Sequence, residues 1–355
     1  MIVLLKKFLK RIIFMREHKP ILKKKDFVKR KLFNVIGGDQ NLDKTFYVIQ
    51  RSPGCGIFSN LSFVVNHIKI AKKLGYEPIV DMENYPSIYN ESEKIFGTYN
   101  SWEYYFEQIS NYKLKDIYKS KNVFLTDSRF YSDIDFEYNI TKSEDLVEIF
   151  HKYIKLNKIK LKTLNYLKKK ILKNKKVLGV HFRGTGYKIA RNPYPATKNQ
   201  MINKINEIIK KDNYDKIFLM TEDLNNFESI KNYFKEKLIY FNSSIKGKTN
   251  LEVFDKYTRK RHRYKLGRNV LYETYLMSYC DGFLDIETNP RIIAHLLNLN
   301  PKQKRYSIDN GFNYGWGRFF NYLNISWFLK SILPEKFGGF KNNQNPKKSL
   351  DFFNN

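Results

Sequence analysis

Cysteine is nearly absent from this chain. Cys55 and Cys280 are the only two in 355 residues and lie far apart, which excludes a disulfide scaffold, a zinc ribbon and a paired redox motif and fits a reducing compartment. Long apolar runs are also missing: in the basic N-terminal stretch none exceeds five residues, too few to span a membrane. Acidic residues are scarce, with 35 Asp and Glu against 65 Lys and Arg and a formal net charge of +30. Apolar residues are not scarce. At 42% hydrophobic and 16% aromatic the chain is too apolar for disorder, and its length suits two medium domains.

The positive charge favours a partner rich in phosphate or carboxylate: nucleic acid, anionic lipid or a phosphorylated small molecule. Much of the excess is lysine in a chain also crowded with Asn, Ile, Tyr and Phe, a bias that AT-rich codon usage produces without functional selection. Two clusters stand above that background. One is residues 1–31, with twelve Lys and Arg against Glu17 and Asp26; the other runs from Arg259 to Lys265, with Arg268 just beyond. In the first, apolar pairs at 4/5, 8/9 and 12/13 alternate with Lys6/Lys7 and Lys10/Arg11, the spacing of an amphipathic helix. A signal peptide would need a positive n-region and a small-residue cleavage site, and neither is there. Two readings stay open: residues 1–30 lying on an anionic membrane surface, or a first core helix with a solvated basic face. The first places the protein in the cytoplasm, peripheral on the inner face of the plasma membrane.

Four segments follow from composition and periodicity: a basic N-terminal segment and linker over 1–45, an α/β domain over 46–172, a Rossmann-like domain over 173–340, and a polar tail over 341–355. Phe46-Tyr-Val-Ile49, the Gly-rich turn 51–56, a helical pattern from Leu61 to Leu74 and Glu77-Pro-Ile-Val-Asp81 make a βαβ unit, and Val123–Thr126 reads as a further strand. One lysine-rich helix is expected from Ser143 to about Lys173. In the second half, strands are expected at 176–182, 216–221, 238–241 and 282–285, and helices at 197–211, 225–236, 269–279 and 291–297. The basic stretch reads as a loop before 269.

Ligands of open α/β sheets collect at the carboxyl ends of strands. Three such ends carry polar residues: His181, Arg183, Gly184, Thr185 and Gly186; then Thr221, Glu222 and Asp223; then Glu287, Thr288 and Asn289. Together they suit a nucleotide diphosphate. Arg183 supplies a permanently charged fork, Gly184 and Gly186 let the backbone approach phosphate oxygens, and Thr288 and Asn289 add polar groups at a helix start. Thr288-Asn289-Pro290 also reads as an ordinary N-cap with proline in the first turn.

In this order, Val177-Leu-Gly-Val-His-Phe-Arg-Gly-Thr-Gly186, Ile217-Phe-Leu-Met-Thr-Glu-Asp223 and the stretch from Val270 through Asn289 resemble the three motifs of the GDP-fucose fucosyltransferase superfamily, with its α-1,6-, α-1,2- and protein O-fucosyltransferases. Gly54-Cys-Gly-Ile-Phe-Ser-Asn60 is similar to that superfamily's Gly-rich entry motif. The resemblance spans roughly residues 46–300. It implies a GT-B-like fold of two Rossmann-like domains facing a central cleft, with the N-terminal domain on the acceptor side and the donor bound mainly by the C-terminal one. It further implies inverting transfer of fucose from GDP-fucose to a hydroxyl of a surface-glycan precursor, as in lipopolysaccharide biosynthesis, with no cofactor and no metal. By resemblance Arg183 meets the donor diphosphate and His181, Gly184, Thr185, Gly186, Thr221, Glu273, Thr288 and Asn289 line the donor. Arg183, Glu222 and Asp223 are then the catalytic candidates, and Gly54, Gly56, Ser59 and Asn60 border the cleft. The chain departs from the pattern at Gly186, where many members carry aspartate. The alternatives are another nucleotide-sugar donor, an inactive glycan- or nucleotide-binding relative, and a nucleic-acid-binding protein using Arg259–Arg268, although no nucleic-acid-binding module is recognisable and none is expected as partner.

Overall fold

The computed structural model describes residues 37–52, 56–126, 144–184, 193–249, 252–256, 259–286, 288–311, 325–334 and 339–340. The amphipathic segment 1–30, Gly54, Cys55, Thr185, Gly186 and the tail 341–355 lie outside them.

Strand β1 (Gln40–Ile49) pairs in parallel with β2 (Glu77–Val80) and β3 (Ser120–Leu125), in the order β2-β1-β3. Alternation sorts its end: Phe46 and Val48 join a cluster with Ile79, Ile117 and Tyr118, while Tyr47 and Ile49 join the cluster that includes α1 (Ile57–Lys73). Parallel strands need a crossover, and α1 supplies it between β1 and β2. β1 begins at Gln40, before the expected Phe46. Gln40 pairs with Ser120, and the register shifts between Gln40 and Thr45, so this polar stretch joins the sheet without an apolar run to announce it.

A single-turn helix α2 (Leu114–Ile117) precedes β3. The one lysine-rich helix expected over 143–173 is two, α3 (Glu144–Tyr153) and α4 (Lys158–Leu172). Asn157 divides them: its side-chain oxygen accepts from Lys160 N–H as the N-cap of α4, and its Nδ2 donates to Glu103 O at 3.0 Å.

The second half alternates β4 (Val177–His181), α5 (Lys198–Asp212), β5 (Lys216–Met220), α6 (Leu224–Phe234), β6 (Leu238–Ile239), α7 (His262–Tyr279), β7 (Gly282–Asp285), α8 (Asn289–Leu297), β8 (Lys304–Ser307) and α9 (Ile325–Ile332). All five strands are parallel, in the order β6-β5-β4-β7-β8. Both faces are covered: Leu178, Val180, Ile217, Leu219 and Leu284 face α5 and α6, whereas Val177, Phe218 and Phe283 face the cluster of α7 and α8. Gly179 is required by that packing, since a Cβ there would lie 2.6 Å from Met277 Sδ of α7. β8 and the first two turns of α7 are absent from the sequence-based expectation. The stretch read as a basic loop enters α7 at Arg261, whose φ of 56° is left-handed, and Glu91 Oε1 takes Tyr264 N–H at 2.9 Å.

One apolar cluster runs from Tyr47 in the first half to Leu296 in the second. Within it α1 packs on α7 and α8, and α4 packs on α7. Tyr105 stacks on Tyr264 with centroids 5.9 Å apart and donates its hydroxyl to Tyr264 O at 3.0 Å. Around this seam Arg261 Nε donates to Glu93 Oε1 at 2.8 Å and Arg263 Nη1 to Ile88 O at 3.0 Å. The expected α/β class, with one parallel sheet in each half, is the observed one.

Candidate functional site

The chain order within the five-stranded sheet reverses at β4. From that central strand it runs outward through β5 and β6, then returns to the other side for β7 and β8. The crevice between the carboxyl ends of β4 and β7 is therefore the switch point where such sheets bind ligands. A side-chain contact spans it: His181, the last residue of β4, has Nδ1 3.2 Å from Thr288 Oγ1. Thr288 is the N-cap of α8, accepting from Arg291 N–H at 3.3 Å, with Pro290 in the first turn and Asn289 half-buried beside it. The tripeptide is a cap, and the cap borders the crevice. His181 is buried; burial, with the nearby Arg183 charge adding, pushes its pKa down to about 4, so the ring is neutral at pH 7.

Arg183 lies two residues beyond β4 and Glu222 two beyond β5. Arg183 Nη1 is 3.3 Å from Glu222 Oε2, and Gly184 N–H donates to Glu222 Oε1 at 3.3 Å. One carboxylate thus orients both the guanidinium and the backbone of the β4 loop. Asp223 and Gly184 also have structural parts in this loop pair. Asp223 is buried and is the N-cap of α6, accepting from Asn226 N–H at 3.0 Å, while its own N–H donates to Thr221 Oγ1 at 3.2 Å. A Cβ on Gly184 would collide with the Asp223 side chain, so contact between the two strand-end loops requires glycine there.

Glu273 projects from α7 and is buried, accepting a hydrogen bond from Ser244 Oγ at 2.7 Å. Burial pushes its carboxyl up to about 7; Lys246 and the Ser244 hydrogen bond oppose the shift, and the Glu222 charge adds to it. Lys246 lies 4.5 Å from the Phe227 ring centroid, and burial lowers its pKa. Sequence reasoning passed over Ser244 and Lys246, for which a short polar run after β6 was the only signal. It also passed over Asp285 at the end of β7, buried between Arg291 Nε at 3.0 Å and His295 Nε2 at 3.3 Å. A carboxylate closing a buried strand could have flagged it.

In the first half, Ser59 and Asn60 are buried in the first turn of α1 and bond back to Ser52. Ser52 N–H and Oγ donate to Asn60 Oδ1 at 2.8 and 3.0 Å, and the Ser52 and Ser59 hydroxyls are 3.1 Å apart. Gly56, at the N-cap of α1, is exposed. The described contacts bring together His181 with Thr288, Arg183 and Gly184 with Glu222, and Gly184 with Asp223; Gly56, Ser59 and Asn60 sit apart from these, at the start of α1. Among the described residues no three His, Cys, Asp or Glu side chains gather to hold a metal ion.

No family model and no curated protein matches the chain. Solved structures do. The fucosyltransferase NodZ from Bradyrhizobium shares 15% identity, covering 70% of this chain and 92% of its own, with a TM-score of 0.41. POFUT1 in complex with GDP shares 10%, covering 75% of this chain and 98% of its own, with a TM-score of 0.44. A mutant of Arabidopsis thaliana FUT1 in complex with GDP shares 9%, covering 75% of this chain and 70% of its own, with a TM-score of 0.39.

Proposed function

We propose that the chain is an inverting, metal-independent glycosyltransferase moving fucose from GDP-fucose to a hydroxyl of a glycan acceptor. The observation that carries this reading is Arg183, held by Glu222 at the carboxyl end of β4, two residues after the His181 that contacts Thr288 across the switch point. The ordered motif resemblance supplies the donor's identity. As the bond between the anomeric carbon and the diphosphate oxygen breaks, its electron pair leaves with the diphosphate. Arg183 meets that growing charge, and the start of α8 adds its dipole. The acceptor oxygen bonds to the opposite face of the anomeric carbon and gives up its proton. Glu222 positions the arginine. Neutral His181 fixes the Thr288 hydroxyl without adding a competing cation, and Glu273 lies on the nucleotide side.

GDP is expected to raise the melting temperature in EDTA, and UDP much less. Arg183→Lys keeps the charge but loses the fork, so some GDP binding should persist while GDP-fucose turnover falls; Arg183→Ala should lose both. The loss of transition-state stabilisation is expected to be about 2–4 kcal/mol, the scale for removing one preorganised donor. Stabilisation by UDP alone, a requirement for a divalent metal, or a folded Arg183→Ala protein with full turnover would each remove the reading. The proposal includes attachment to an anionic membrane through residues 1–30. Deleting them should move the protein from the vesicle pellet to the supernatant and leave GDP binding intact.

A further inference from the structure

A second cationic group lies beside the site, on the far side of the Ser243–Ser244 dipeptide from Glu273. Arg259 Nη1 donates to Ser243 O at 2.8 Å, which also accepts from Asn269 Nδ2 at 2.8 Å. The other edge of that guanidinium, Nε with Nη2, is shielded from solvent and has no hydrogen-bond partner. Arg268 donates through Nε and Nη2 to the neutral Asn269 Oδ1, at 3.3 and 3.1 Å, and its guanidinium carbon is 5.9 Å from the Tyr264 ring centroid. Lys160 reaches the same ring from α4, at 5.0 Å, and the Phe96 ring at 4.3 Å; only 1% of this lysine is exposed.

Among the described residues no carboxylate forms an ion pair with any of the three. The acids of the facing loop are engaged elsewhere, Glu91 with Tyr264 N–H and Glu93 with Arg261. Burial and the neighbouring Arg268 charge both lower the pKa values of Lys160 and Arg259, the first to about 8. Buried cations are ordinarily paired, and shielded N–H groups ordinarily have acceptors, so this arrangement is incomplete without an anion. Nε with Nη2 is the edge with which a guanidinium grips two oxygens of one group, and a shift of the Arg259 side chain uncovers it for an incoming anion.

We propose that Arg259, Arg268 and Lys160 form an oxyanion site that receives a phosphate, sulfate or carboxylate group carried by the acceptor. The word acceptor rests on the transferase reading; the anion site itself does not. The donor diphosphate belongs to Arg183, and the Ser243–Ser244 dipeptide joins the two places through the Ser244–Glu273 bond.

The test uses the full chain at constant ionic strength, with inorganic phosphate, glucose 6-phosphate and GDP as probes. Phosphate should raise the melting temperature of wild type and of Arg183→Lys. Arg259→Gln with Arg268→Gln should weaken phosphate binding at least tenfold while leaving the GDP effect intact. Because the substitutions remove unpaired buried charge, the ligand-free double variant should melt no lower than wild type; a structural role would lower it. Phosphate binding that is absent from wild type, unchanged in the double variant, or lost only with Arg183→Lys would overturn the site. Glucose 6-phosphate binding more tightly than phosphate supports an acceptor-borne anion, and equal affinities would overturn that assignment. Loss of the GDP effect alone, with phosphate binding intact, removes the transferase reading and leaves the anion site standing.

Discussion

A carboxyl that titrates near neutrality inside so basic a protein reflects its own burial rather than the overall charge. Glu273 is raised from 4.5 to about 7 chiefly by burial, even with Lys246 nearby. The folded state therefore holds more protons than the unfolded state between those values, and its contribution to stability is lost as pH rises through the window. Glu273→Gln keeps an acceptor for Ser244 and removes the titration. At pH 8 it should be more stable than wild type by about 1–3 kcal/mol, with the difference shrinking toward pH 4.5. Urea denaturation across that range measures it, and a pH-independent difference would contradict the assignment. His181 acts with the opposite sign. Its pKa is lowered from 6.5 to about 4, so its contribution is present above 6.5 and declines as pH falls. The two slopes oppose one another over the overlap, which is why single variants rather than the wild-type profile resolve them.

At the scale of elements, helix starts place the polar groups of the site, and they also mark where sequence reading succeeded and failed. The strand ends at His181 and Thr221 were legible because buried parallel strands read as apolar runs followed by polar residues. Edge strand β8 was not: Lys304-Arg-Tyr-Ser307 is mostly exposed and has no apolar run. The start of α7 was hidden because Arg261 and Arg263 are held by Glu93 and Ile88 O, and Tyr264 N–H by Glu91, all remote in sequence. Nor could spacing tell a catalytic Asp223 from a capping one. Asp223→Asn keeps an acceptor for Asn226 N–H, so its stability and its GDP-fucose turnover should stay within a few fold of wild type. Asp223→Ala should lower stability by about 1 kcal/mol, the usual effect of a lost cap. A hundredfold loss of turnover in a folded Asp223→Asn protein would place this residue in the chemistry as well as at the cap.

At the scale of the molecule, two sheets that read as separate domains in the sequence share one core. Composition and strand order reveal two α/β halves but not the seam between them, because its contacts join residues as distant as Tyr105 and Tyr264. The seam is tight: a Cβ on Gly267 would press into the Tyr105 hydroxyl and the Tyr89 ring, both from the first half. Helix α7 buries residues against that half while also packing on β4, so unfolding either sheet exposes the apolar side of the other. The halves should therefore unfold together, with far-UV circular dichroism and tryptophan fluorescence giving coincident midpoints. Gly267→Ala overpacks the seam and should lower stability by about 1–3 kcal/mol, moving the shared midpoint down without splitting it. Amide exchange gives the sharper measurement, since protons in β1 and β4 should report the same opening free energy in wild type and the same loss in the variant. Loss confined to one sheet, or two resolved transitions, would show that the seam is a docking surface between independent domains rather than part of a common core.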